Sequence, residues 1–101
     1  MAWKKVQVRT IPNANTAYEQ MSDEVISYMK TNYHDTGKRT SLSVSSSDDG
    51  LVVTYTSIFK DEASKNEFFA DSTIRTESIR RNTINAANGI TNKTTLDEEF
   101  S

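Results

Sequence analysis

The stretch TSLSVSSSDDGLVVTYTSIF, residues Thr40–Phe59, reads as a β-hairpin and decides the fold. Before the Asp48-Asp49-Gly50 turn, Leu42 and Val44 alternate with Ser41, Ser43 and Ser45; after it, Val53 and Tyr55 alternate with Val52, Thr54 and Thr56. A period of two belongs to a strand with two unlike faces. Asp-Gly is a strong turn signal because glycine enters left-handed backbone without steric penalty. A loop of Asp49 and Gly50 sets Val44 opposite Tyr55, and a loop of Ser47 to Gly50 sets it opposite Val53. Either way Leu42, Val44, Val53 and Tyr55 share one face. The return strand is the most apolar segment of the chain and reads as central, whereas its serine-rich partner suits an edge.

Upstream, Trp3 to Thr10 alternates as a further strand, with Val6 and Val8 opposed to Lys5, Gln7 and Arg9; Ile11-Pro12-Asn13 ends it. Thr16 and Glu19 have capping-box spacing, which predicts a helix start. Tyr18, Met21, Val25 and Met29 then follow in steps of three and four, and Gly37 marks the stop. Downstream of the hairpin, Asp61 caps a second helix carrying Phe68 and Phe69. Asp71-Ser72 opens a third that runs to about Ala87 and ends at Asn88-Gly89. Ile90 to Leu96 is a short last strand, and residues 97–101 are an acidic tail expected to fray. The parity of the strands and the period of the helices place Val6, Val8, Leu42, Val44, Val53 and Tyr55 toward the helices. There they would meet Met21, Val25, Met29 and Phe68 or Phe69.

The order strand, helix, strand, strand, helix, helix, strand is that of an α+β, ferredoxin-like unit: an antiparallel sheet with helices on one face, in a single domain over residues 1–101. The chain has 101 residues, of which 12 are Lys or Arg and 14 Asp or Glu, for a net charge of −2. That balance argues against non-specific nucleic-acid binding and against a polybasic membrane surface. The absence of cysteine excludes disulfides, thiol nucleophiles and thiolate metal sites. No apolar run resembles a signal peptide or a membrane span, so the expected location is cytoplasmic. Asn92-Lys93-Thr94 matches a glycosylation sequon, which has no meaning without secretion.

In element order, from Trp3 to Leu96, the chain resembles the dimeric α/β-barrel group of ferredoxin-like proteins. It is similar to uncharacterised dimeric ferredoxin-like proteins known from marine environmental sequence. The stretch that carries most of this resemblance is Tyr55-Thr56-Ser57-Ile58-Phe59-Lys60-Asp61-Glu62-Ala63, a central strand running into a helix that opens on Asp-Glu-Ala. The resemblance implies a homodimer. It does not imply an activity, because the group holds small monooxygenases, haem-degrading enzymes, isomerases and stress-response proteins.

No residue stands out as catalytic, cofactor-binding or metal-ligating. His34 is the one histidine and falls in a helix-end loop without an orienting partner. Asp48-Asp49-Gly50 lacks the rest of a calcium loop. Asp23-Glu24 and Glu98-Glu99 are sequence neighbours, which a helix would point in different directions. Arg75, Arg80 and Arg81 are the one basic cluster, and Glu77 has the spacing to pair with Arg81. An RNA-recognition sheet would present aromatics where Val52, Thr54, Thr56 and Ile58 stand. Phosphate loops and the nucleophile elbow are absent. Tyr18, Tyr28, Tyr33, Met21 and Met29 read as core packing.

The remaining sheet face, expected to carry Trp3, Gln7, Arg9, Ser43, Ser45, Val52, Thr54, Thr56 and Ile58, is rich in small hydroxyls and suits contact with a second copy. Two functions follow. One is a self-associating domain without catalysis. The other is a small cofactor-free enzyme, oxygenase- or isomerase-like, acting on an apolar molecule in the barrel cavity. A closed cavity holding a buried titratable group would favour the second, and a solidly packed sheet face the first.

Overall fold

A computed structural model describes residues 1–100. Four strands, β1 (Ala2–Thr10), β2 (Arg39–Ser46), β3 (Val52–Phe59) and β4 (Thr91–Phe100), form one antiparallel sheet in the order β2-β3-β1-β4. Helices α1 (Asp23–Met29), α2 (Glu62–Ala70) and α3 (Ser72–Ala87) complete the β-α-β-β-α-α-β order. The architecture is the ferredoxin-like one, with β1 and β3 central and β2 and β4 at the edges.

The hairpin takes the register that sets Val44 opposite Tyr55. The loop spans Asp48 to Leu51: the Ser47 N–H donates to the Val52 carbonyl at 2.9 Å, and Gly50 adopts φ 74°. Asp61 caps α2 by accepting from the Ser64 N–H at 2.8 Å. Asp71 caps α3 by accepting from the N–H groups of Thr73 and Ile74.

Four expectations are corrected. First, β1 faces the other way. Trp3 pairs with Phe59, Gln7 with Tyr55 and Arg9 with Val53, and Phe59 is the fully buried centre of the core. Trp3, Lys5, Gln7 and Arg9 therefore face the helices. Val6 and Val8 join Ser43, Ser45, Val52, Thr54, Thr56 and Ile58 on the outer face. The inward positions take long cationic side chains because their charged ends stack on aromatic rings: the Lys5 ammonium sits 3.7 Å from the Phe69 ring centre.

Second, α1 starts six residues later than the Thr16–Glu19 pair predicts. Its cap is Ser22, with Asp23 and Glu24 in the first turn, where the helix dipole favours acids. Glu19 is occupied elsewhere, its N–H donating to Asn85 Oδ1 at 2.8 Å and its carboxylate pairing with Arg80. Residues 11–22 thus form an irregular strap laid over α3. At its other end α1 widens into a π-helical turn, Lys30–His34, closed by an Asp35 N–H to Lys30 carbonyl bond of 2.8 Å. Gly37 ends it at φ 76°.

Third, residues 97–100 of the acidic tail do not fray. They extend β4 along β1, with Asp97 opposite Lys5 and Glu98 opposite Lys4, so the charges across the pair are opposite. Lys4 also lies 4.9 Å from the Phe100 ring centre. Ser101 lies outside the described residues. Fourth, Glu77 pairs with Arg80 at 2.7 Å rather than with Arg81.

The core gathers Tyr33, Phe59, Phe68 and Ile74, with Trp3, Tyr28, Met29 and Phe69 against them. Tyr33 and Phe68 meet edge to face at 4.9 Å. Beneath this cluster the Asp71 carboxylate accepts from the hydroxyls of Tyr28 and Tyr33, both at 2.7 Å. Leu42 and Val44 face the helix side as expected but remain 42% and 54% exposed, because no helix reaches that end of β2. The core thus fills one end of the sheet, and the far end of β2 is left uncovered.

A candidate anion-binding cavity between sheet and helices

Between the helix face of the sheet, the strap and the helices lies a cavity of about 910 Å³. One part of its wall is apolar, formed by Met21, Ile26, Met29, Leu42, Phe68 and Ile74. The rest is built on three arginines, Arg9, Arg39 and Arg81, and two tyrosines, Tyr18 and Tyr55.

Arg9 rises from β1 and is 6% exposed. Its Nη1 donates to the Tyr55 hydroxyl at 2.7 Å and to the Tyr18 hydroxyl. Its guanidinium stacks on both rings, 4.5 Å from the Tyr18 centre and 5.0 Å from that of Tyr55. Arg81, from α3, donates to the same Tyr18 hydroxyl and to the Glu19 carbonyl. The Tyr18 oxygen thus accepts from two guanidiniums, which leaves its own proton free to be donated. Burial raises the pKa of the Tyr55 hydroxyl, although the Arg9 charge opposes this, so at neutral pH it too is a donor.

Arg39 begins β2 and is 7% exposed. Its Nη2 donates to the Ser57 hydroxyl at 3.1 Å, its plane lies 5.0 Å from the Phe68 ring centre, and its Nε is buried without any hydrogen-bond partner. Burial pushes its pKa down to about 10, which leaves it charged at neutral pH. Among the described residues, neither Arg9, Arg39 nor Arg81 pairs with a carboxylate: the ion pairs join Lys30 to Asp35, Lys38 to Glu67, Lys65 to Asp97, and Arg80 to Glu19 and Glu77. Ser57 and Tyr55 are successive inward positions of one strand, about 7 Å apart. Arg39 and Arg9 therefore address neighbouring parts of the same space.

Of the residues expected on a self-contact face, six share the outer face as foreseen, but Gln7 and Arg9 line this cavity and Trp3 packs on the core. His34 reaches the cavity mouth beside Lys30 and Asp35. Among the described residues no cluster of His, Cys, Asp or Glu could hold a metal ion, and no helix is long and apolar enough to cross a membrane. Arg39, Tyr18, Tyr55 and Arg81 carry no motif that marks them as a group. Arg39 and Tyr55 share the inward parity of β2 and β3, while Tyr18 comes from the strap and Arg81 from α3, so what joins the four is visible only once the elements have packed.

No protein-family model matches the chain, and no curated protein matches it. Among solved structures, the chain is similar to Rv0793 from Mycobacterium tuberculosis, with a TM-score of 0.54 at 10% identity over 98% of each chain. It is also matched to the protein SO0527 from Shewanella oneidensis, with a TM-score of 0.41 at 16% identity, over 95% of this chain and 93% of that one. The first likeness bears on the fold alone, and the fold it supports is the small antiparallel α+β one described above.

Proposed function

We propose that the domain binds a small amphipathic acid in this cavity. The observation that carries the reading is a pair of guanidiniums, on Arg9 and Arg39, each more than nine-tenths buried and without a carboxylate, beside an open cavity. Burying a cation without a counter-charge is costly, and such charges are ordinarily paired. A bound carboxylate would supply the missing charge and accept from the guanidinium forks and the Tyr18 and Tyr55 hydroxyls. The adjoining Met21, Ile26, Met29 and Leu42 would take its apolar body.

The test is titration calorimetry with octanoate and, as the uncharged control, octanol. Octanoate should bind at least about ten-fold tighter, and Arg9→Met or Arg39→Met should each remove about ten-fold of that affinity, as expected for charge-assisted hydrogen bonds. Equal binding of octanol and octanoate would overturn the reading.

Catalysis on such a ligand, of the cofactor-free oxygenase or isomerase kind, is the second reading. It is favoured by the Tyr18 and Tyr55 hydroxyls beside Arg9, which suit a developing oxyanion. Self-association into a homodimer goes with either. Its support is the outer sheet face, where Val6, Val8, Ser43, Val52, Thr54 and Ile58 form an uncharged patch, bordered by Lys4 and Lys93, that no helix covers.

A further inference from the structure

The cavity does not end at Arg9. A second hollow of about 520 Å³ lies where β1, the start of β4 and the C-terminal half of α3 come together. Gln7, Arg9, Asn82 and Asn92 line both hollows, so the two adjoin at the Arg9 side chain. The second chamber differs from the first in chemistry. Its walls carry the amides of Gln7, Asn82, Asn85 and Asn92 and the hydroxyl residues Thr91 and Thr94, and Arg9 is its one charged residue. Asn85 is committed to the strap, through bonds to the N–H and carbonyl of Glu19. The amides of Gln7, Asn82 and Asn92 have no protein partner among the described residues and present both donors and acceptors to the space.

Resting on the acid-binding reading above, we infer that this chamber takes a neutral polar arm on the carbon next to the ligand's carboxylate. The geometry sets the order of the parts: apolar chain in the large cavity, carboxylate on Arg9 where the two adjoin, and a carboxamide or hydroxyl arm among the amides. An acylated amino acid with a neutral polar side chain is the simplest molecule of that shape. An unbranched fatty acid would leave the chamber to water, and a second carboxylate there would meet no cation besides Arg9.

The probes are octanoate, N-octanoyl-glutamine and N-octanoyl-norleucine, whose apolar arm is of similar length. N-octanoyl-glutamine should bind about ten-fold tighter than the norleucine compound, the effect of two or so neutral hydrogen bonds. Substituting both Asn82→Leu and Asn92→Leu, at exposed positions, should bring the two within about three-fold of each other. The single substitution Asn82→Ala carries the same test should the double one unfold. If octanoate binds in an Arg9-dependent way but glutamine and norleucine compounds bind alike, this inference is overturned and the acid-binding reading stands. If octanoate binding does not depend on Arg9, both fall.

Discussion

Arg9 and Tyr55 meet diagonally across the two central strands. The residue directly opposite Tyr55 is Gln7, yet the Arg9 guanidinium reaches back to the Tyr55 hydroxyl at 2.7 Å and lies on its ring. Diagonal neighbours on one sheet face are about 7–8 Å apart at the backbone, within reach of side chains this long. The contact holds a buried cation at the wall of the cavity and turns the tyrosine from a core residue into part of that wall.

If that surface awaits an anion, its arginines are kept at the expense of stability. Arg39→Met puts an apolar group in place of the guanidinium that lies over Phe68 and removes a buried charge with an unpartnered Nε. The variant should be more stable than the wild type by about 1 kcal/mol or more, since replacing an uncompensated buried charge with an apolar group of similar volume is commonly stabilising. Chemical denaturation checks this; a marked loss of stability would mean that Arg39 is structural.

Asp71 joins the two ends of the core. Its carboxylate caps α3 and accepts from Tyr28 and Tyr33. Burial acts to raise its pKa, but the two hydroxyls and the helix N–H groups outweigh burial and hold it below the usual range. Asp71→Ala should cost about 2 kcal/mol, from the lost cap and the lost bonds to two tyrosine hydroxyls. A thermal midpoint lowered by several degrees is the expected readout, and an unchanged midpoint would contradict it.

Glu77 gives the strap a pH dependence. Its carboxylate accepts from Arg80 and from the Ser22 N–H at 2.6 Å, and these hold its pKa down from 4.5 to about 2. A depressed acid pKa contributes stability that is fully present above the ordinary value and is lost as pH falls through the folded one. Glu77→Gln should therefore be less stable than the wild type at pH 7. Its stability should fall less between pH 4.5 and 2, and the two curves should approach each other at the acid end. Parallel curves across that range would rule out this role.

The outer face supports the proposed homodimer in a way that can be measured. Thr54→Arg or Ile58→Arg adds a bulky charge to the small, uncharged patch of that face, at Ile58 directly opposite Lys4. In light scattering at micromolar concentration the wild type should have twice the chain mass and each variant the single mass. A monomeric wild type would refute the dimer, and dimeric variants would refute this face.

The sequence by itself determined the element order, the hairpin with Val44 and Tyr55 on one face, the caps at Asp61 and Asp71, and the stop at Gly37. Those features depend on neighbours a few residues away, where turn and capping chemistry act. Tertiary structure alone decided which way β1 faces. Valine against lysine, glutamine and arginine looks like an apolar face against a polar one, but the charged ends of Lys5 and Arg9 lie over aromatic rings and so are accommodated on the inward face. The pairing of Trp3 with Phe59 settles the matter, because Phe59 must lie beneath Phe68. The same holds for the site. Arg9, Tyr18, Tyr55 and Arg81 come from four segments up to 72 positions apart in the chain, and Arg39 from a fifth. No local pattern links them, since what joins them is a shared cavity that exists only after sheet and helices have packed.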